Sequence, residues 1–162
     1  MCLICTDSIR REAFEDIMCF KVLKLSSTGY MTPCVEAVIY DEDNVLHHKK
    51  PFVASDEVEI VHTLNGLEIN NGYIHVFRKL EDAAVYSKYL ESIDETNSPM
   101  IVFRCMIPKG TVYFQGYYEH YGPRDSFAAK QIVFIEQMQL NFLNCDEFGY
   151  NLNMPRRDFY YD

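Results

Sequence analysis

Residues able to do chemistry are gathered in two short stretches of the sequence. The first, GYIHVF followed by LEDAAVY, contains Tyr73, His75 and Tyr86. The second, EHYGPRD, places Glu119 and Arg124 in a segment that holds a glycine and a proline. A histidine carries a proton near neutral pH, and an arginine fork grips a phosphate or carboxylate. Tyr73, His75, Glu119 and Arg124 are the ligand-binding residues that these two stretches predict.

Both stretches also have a plainer interpretation. Strand alternation puts His75 on the same face as Tyr73 and Phe77. No acid or nucleophile is fixed near it by spacing, so a half-buried histidine bonded to a neighbouring backbone group is favoured over a proton carrier. For EHYGPRD, a binding loop and a polar turn between two strands both remain open.

The sequence contains no complete catalytic, metal or cofactor motif. Cys2 and Cys5 form a C-x-x-C without a second pair of ligands, so packing as small apolar side chains is favoured. His47 and His48 lack further ligands nearby and are predicted to lie in a solvated loop. No phosphate loop, dinucleotide fingerprint or hydrolase motif is present. We therefore expect no metal and no cofactor, and a non-enzymatic role is favoured while catalysis remains an open alternative.

Composition limits the class of protein and its partners. The chain has 162 residues, of which 48% are hydrophobic and 24% charged, as expected for one globular domain. A net charge of −9 argues against binding to a nucleic-acid backbone. It favours small-molecule ligands or basic protein partners instead. With no predicted signal peptide and no apolar run long enough to span a membrane, a cytoplasmic location is expected.

The apolar pattern predicts an α+β fold, a single domain with a mainly antiparallel sheet and few helices. One helix is predicted over residues 80–93. Residues 34–40 form either a strand or a helical turn, residues 41–59 a long surface excursion, and residues 115–130 a tyrosine-rich loop. Residues 19–136 are the predicted core, and residues 137–162 are a C-terminal extension. Strands are predicted over residues 19–25, 72–77, 100–108, 111–114 and 131–136.

The order of these segments resembles a family of short proteins found in gut bacteria and their phages. The shared features are the LEDA segment after a glycine and an apolar strand, the IPKGT-x-Y turn, and the final strand A-x-x-I-V-F. The resemblance covers most of residues 19–136. It implies this order of segments and a phage or mobile-element context, which for a phage-encoded protein would place it in the host cytoplasm.

GYIHVFRKLEDAAVY also resembles part of the ADP-ribosyltransferases. Those enzymes place a glycine, a short strand with an aromatic residue and a helix with A-x-x-Y across the nicotinamide pocket. The resemblance implies that Tyr73, His75 and Tyr86 lie near such a ligand. Where those enzymes carry a glutamate near the late strand, this sequence has Lys130 and Gln131.

The predicted function is that of a phage-type or mobile-element accessory protein. It would bind a protein partner or a nucleotide-like ligand without catalytic machinery. The alternatives are an ADP-ribosyltransferase-like enzyme with an altered active site and a structural component of a virion. The enzyme alternative requires Tyr73, His75 and Tyr86 to converge with Arg124 or Glu119 on one concave surface.

Overall fold

The computed structural model describes residues 3–27, 29–32, 39–40, 51–55 and 57–140. This part of the chain forms thirteen strands and one helix. The helix is α1 (Leu80–Ile93). The strands are β1 (Leu3–Cys5), β2 (Arg11–Glu12), β3 (Ile17–Ser26), β4 (Gly29–Met31), β5 (Ile39–Tyr40), β6 (Phe52–Val53), β7 (Glu59–Thr63), β8 (Gly66–Asn71), β9 (Ile74–Phe77), β10 (Met100–Ile107), β11 (Val112–Glu119), β12 (Pro123–Ala129) and β13 (Gln131–Gln137).

The strands pair into a sheet that curls into a half-barrel. Their order across the sheet is β6-β13-β10-β3-β9-β12-β11-β1-β8-β7, while β2 pairs with β11 and β4 links β3 to β5. Neighbouring strands are antiparallel, as in the β3–β10 pair, where Cys19 lies opposite Cys105. The predicted mainly antiparallel sheet with few helices is therefore confirmed for the described residues.

Strand β3 shows why this sequence forms the centre of the sheet. Cys19 and Leu23 point to one face and join the largest apolar cluster. Val22 points to the other face and packs beneath the helix. Both faces of the strand are covered, so its sequence is apolar with little polar alternation, as expected for a central strand.

Helix α1 has the predicted bounds, and it packs on the sheet through Ala83, Tyr86 and Leu90. It ends where the backbone N–H of Asp94 donates to the carbonyl of Leu90. The Asp94 carboxylate lies 2.7 Å from Lys24 Nζ on β3. This hydrogen bond, helped by the Thr96 hydroxyl, lowers the pKa of Asp94 to about 2. The C-terminal end of the helix is thus tied to the central strand.

The prediction of a tyrosine-rich loop at residues 115–130 is wrong, because this segment forms the β11–β12 hairpin. Its turn holds Tyr121 at φ 50° and Gly122 at φ 99°. Gly116 lies within the strand, and a Cβ at this position would collide with the backbone carbonyl of Ile4 on β1. The glycine therefore allows β1 to approach β11 closely and does not mark a turn.

The β7–β8 hairpin is a second element that the sequence analysis did not assign. Asn65 and Gly66 are a dipeptide typical of tight hairpin turns, and Gly66 has a φ of 126°. The end of the predicted surface excursion also contributes β6 and the start of β7. Most of residues 34–40, the histidines at 47 and 48, Cys2 and residues 141–162 lie outside the described residues. Cys5 is fully buried, as the packing interpretation expects.

Adding a methyl group at Gly116 should loosen the join between β1 and β11. We expect Gly116→Ala to lower the free energy of unfolding by about 1–3 kcal/mol, because the backbone of β1 must shift to admit the Cβ. Urea titration of both proteins measures this difference. Gln115→Ala, at an exposed position on the same strand, is the matched control and should stay near wild type. Equal midpoints for the two variants would contradict the close approach.

Candidate functional site

Two of the predicted site residues, Tyr86 and Arg124, come together where the helix meets the β11–β12 hairpin. Arg124 is 3% exposed, and its Nη1 lies 3.1 Å from Oδ1 of Asp82, which is also 3% exposed. The Arg124 Nε also donates to the carbonyl of His120 at 2.9 Å. Asp82 belongs to the acidic first turn of the helix, one turn before Tyr86. The arginine predicted to grip a ligand thus joins the helix to the hairpin.

The rings beside this ion pair form a tightly packed cluster centred on His120. The centroids of Tyr89 and Tyr121 lie 4.5 and 4.6 Å from the His120 ring, and that of Tyr86 lies 5.6 Å away. Burial, and then the nearby Arg124 charge, lower the pKa of His120 to about 4. The imidazole is therefore neutral at physiological pH. Rings this close fill the space between them, so the cluster packs tightly although Tyr121 on its outer side is 50% exposed.

Tyr73 and His75 lie in a different part of the sheet face. Tyr73 packs with Phe114 at 5.4 Å between ring centroids. The Nζ of Lys130 lies 4.4 Å from the Tyr73 ring centroid and donates to the carbonyl of Gly72 at 2.6 Å. The Lys130 side chain therefore lies against the Tyr73 ring.

His75 is 7% exposed, and its Nε2 lies 3.2 Å from the carbonyl of Asn70, to which it donates. Burial, and then the Lys21 charge, lower its pKa to about 3. Lys21 itself donates from Nζ to the backbone carbonyl of His75 at 2.9 Å. The geometry agrees with the packing interpretation of this histidine, since the ring is neutral and shielded from solvent.

Glu119 is exposed at the end of β11, opposite Pro123. The five predicted residues therefore divide into a group at the hairpin, with Tyr86, Arg124 and the neighbouring Glu119, and a separate pair, Tyr73 and His75. Tyr73 packs with the cluster formed around β1 and β8, whereas Tyr86 packs with the cluster beneath the helix.

A surface feature outside this set is a groove beside the turn that joins β2 to β3. Its volume is about 220 Å³. Polar groups on its wall come from Glu15, Arg78 and Gln115. The apolar part of the wall is formed by Phe14, Ile17, Met18, Tyr113 and Phe127.

The turn that carries Phe14 is held firmly by the β10–β11 connection. The backbone N–H of Ala13 donates to the carbonyl of Thr111 at 2.9 Å, and the carbonyl of Ala13 accepts from Gly110 at 2.6 Å. On the other side of Phe14, the Asp16 carboxylate accepts from the backbone N–H of Lys109 at 2.9 Å. Hydrogen bonds thus hold the backbone of Ala13 and the side chain of Asp16, on either side of Phe14.

Phe14 is nevertheless 80% exposed, and Met18 is 43% exposed close by. We call residues 13–16 together with the groove the Phe14 platform. Comparisons with protein-family models, with curated proteins and with solved structures find no match. A function for this chain is therefore inferred from the geometry of the described residues.

Two charged side chains that line the groove have no ion-pair or hydrogen-bond partner within the described part of the chain. Glu15 and Arg78 both line the groove and are both exposed. Neither side chain makes a hydrogen bond or an ion pair in the part of the chain that the structure describes. The backbone of Arg78 is fixed, since its N–H donates to the carbonyl of Asp125 at 2.9 Å. The platform thus presents an exposed aromatic ring, an apolar groove and two unpaired opposite charges.

Sequence reasoning missed the platform because Phe14 lies in REAFEDI, which has no catalytic or metal motif. The IPKGT segment was recognised as a turn. Its hydrogen-bond partner, Ala13, lies near the other end of the described chain, so sequence patterns did not connect the two. Among the described residues no three metal-ligating side chains cluster together. No helix in the described part of the chain has the length and apolar character that crossing a membrane requires.

Proposed function

We propose that the chain is a non-enzymatic binding protein that contacts a protein partner through the Phe14 platform. The observation that carries this proposal is a phenylalanine that is 80% exposed on a backbone clamped on both sides. An isolated exposed apolar residue needs no explanation. An exposed aromatic ring on a hydrogen-bonded turn beside an apolar groove has the features of an interface anchor.

The clamp supports binding for an energetic reason. Association costs free energy when side chains and loops must be ordered at the interface. The hydrogen bonds of Ala13 and Asp16 to the β10–β11 connection already hold the turn in one conformation. The backbone part of that ordering cost is therefore smaller in the complex, and burial of the Phe14 ring adds apolar area to the interface.

The size of the groove favours a protein partner over the nucleotide-like ligand. Sites that enclose small molecules have volumes of about 300–1,000 Å³. The groove offers about 220 Å³. An apolar cavity of about 150 Å³ accommodates benzene, so this groove fits one large side chain.

The enzyme alternative has less support. At the position where ADP-ribosyltransferases carry their glutamate, Lys130 donates to the carbonyl of Gly72 and lies over the ring of Tyr73. His75 is buried against Asn70. A phage or mobile-element setting, which the sequence resemblance implies, fits an accessory protein that acts through contacts.

Site-specific photo-crosslinking tests the proposal. A benzophenone amino acid at position 14 should crosslink to protein in cells that express the chain, because Phe14 is expected to be buried in the partner. The same group at position 64 is the control, since Leu64 is fully exposed but lies on the β7–β8 turn. Glu15→Ala in the position-14 protein should reduce the adduct.

The proposal is wrong if position 14 yields no protein adduct, or if positions 14 and 64 yield the same adducts in equal amount. Misfolding would not explain a difference in crosslinking between the two labelled proteins. Both side chains are exposed, so both labelled proteins should unfold within about 0.5 kcal/mol of wild type.

A further inference from the structure

The Phe14 platform carries a projection and a recess side by side. Phe14 protrudes from the turn and also forms part of the groove wall. Two such surfaces facing each other about a two-fold axis can each insert a ring into the other's groove. Such an interface is isologous and closes as a dimer, whereas a projection and a recess on distant faces would produce a filament.

The charges of the platform are also self-complementary. Glu15 and Arg78 line the groove without a partner in the described chain. Across a two-fold axis, Glu15 of one copy can face Arg78 of the other, and the reverse pair forms by symmetry. Both unpaired charges would then be satisfied.

The surroundings of the platform differ in charge from the protein as a whole. The chain carries a net charge of −9, which makes two copies repel over most of their surface. Around the turn, however, exposed side chains of both signs occur together, with Glu12, Glu15 and Asp16 accompanied by Arg78 and Lys109. Such a mixed-charge surface can face a copy of itself with less like-charge repulsion than the acidic remainder of the protein.

We infer that the partner of the Phe14 platform is a second copy of this chain, docked about a two-fold axis with each Phe14 in the other copy's groove. This inference rests on the proposed function, because it names the partner of the same surface. It leaves the acidic remainder of the surface pointing outward in the dimer.

A charge-swap experiment in sedimentation equilibrium tests the inference on purified protein. Small interfaces associate weakly, so the range extends to about 200 μM. Wild type should dimerise, and Phe14→Ala should weaken self-association about 30-fold or more, because an anchor ring is lost from both halves. Glu15→Arg alone and Arg78→Glu alone should each weaken it about tenfold, since both reciprocal pairs become like-charged.

Mixing the two charge variants is the decisive step. Glu15→Arg protein then presents two basic groups to the two acidic groups of Arg78→Glu protein, so both reciprocal pairs are restored. The mixed dimer should form within about threefold of the wild-type dissociation constant. Because both positions are exposed, circular dichroism should show folded proteins throughout.

A wild-type protein that stays monomeric over the whole range would overturn the second copy as partner. So would a mixture that dissociates as readily as each variant alone. The proposed function is judged separately. A position-14 crosslink to a different protein would retain it while rejecting the dimer, and a crosslink to nothing would reject both.

Discussion

Replacing Arg124 with alanine should destabilise the protein by about 3–5 kcal/mol, the largest effect we expect from a single substitution. The variant leaves the Asp82 carboxylate inside the protein without its cation, and Asp82 is only 3% exposed. It also removes the donors to the carbonyls of His120 and Tyr121, which hold the hairpin turn. Chemical denaturation monitored by tyrosine fluorescence measures the loss.

The double variant Arg124→Ala with Asp82→Ala separates the ion pair from simple packing. Without the stranded carboxylate, it should lose less than the sum of the two single variants. Arg11→Ala, which breaks the exposed Arg11–Asp7 pair, is the matched control and should have a small effect. If Arg11→Ala and Arg124→Ala proved equally mild, the hairpin and helix would not be joined through a buried charge pair.

Acidification should unfold the protein through His75, and His75→Gln should remove that part of the pH dependence. In the unfolded chain this histidine binds a proton below its ordinary pKa of 6.5, whereas in the folded protein it does so only below about 3. Between these values the unfolded state holds the extra proton. The stability contributed by the neutral ring is therefore present above pH 6.5 and is lost as pH falls. One proton corresponds to about 3 kcal/mol between pH 6.5 and about pH 4.

Glutamine keeps an N–H in the place of Nε2, so the bond to the carbonyl of Asn70 can persist. Thermal melts of wild type and His75→Gln at a series of pH values give the two slopes. Gln115→Ala, at an exposed position on β11 and with every histidine intact, is the control and should retain the wild-type slope. Parallel profiles for wild type and His75→Gln would mean that the folded protein protonates this ring as easily as the unfolded chain.

The helix and the long apolar strands were predictable because their signal is local. The spacing of Ala83, Tyr86 and Leu90 in LEDAAVYSKYLESI, with acidic residues in its first turn, fixes α1 at its observed bounds. Strands β3, β10 and β13 are apolar runs that are neighbours inside the sheet, where each has a strand on both sides. The β11–β12 hairpin was missed because Gly116 looks like a turn residue. A glycine is present at position 116 because the backbone of Ile4, on another strand, passes too close for a Cβ.

The candidate site was less predictable because it depends on contacts between distant residues. Asp82 and Arg124 are 42 positions apart, and nothing in either segment alone indicates that they pair. The turn that presents Phe14 is held by hydrogen bonds that join Ala13 to Thr111 and Gly110, which lie far along the chain. Sequence periodicity records which residues are apolar, but it does not record which apolar residue the fold leaves in solvent.

The position of β3 at the centre of the sheet has a consequence for how the chain folds during its synthesis. Its full-length partner is β10, whose residues Met100 to Ile107 are made long after β3 itself. Until β10 leaves the ribosome, the emerging chain carries a long apolar strand with a free edge, which is a template for pairing with other nascent chains. We therefore expect nascent β3 to need protection by chaperones until β10 has emerged and paired with it.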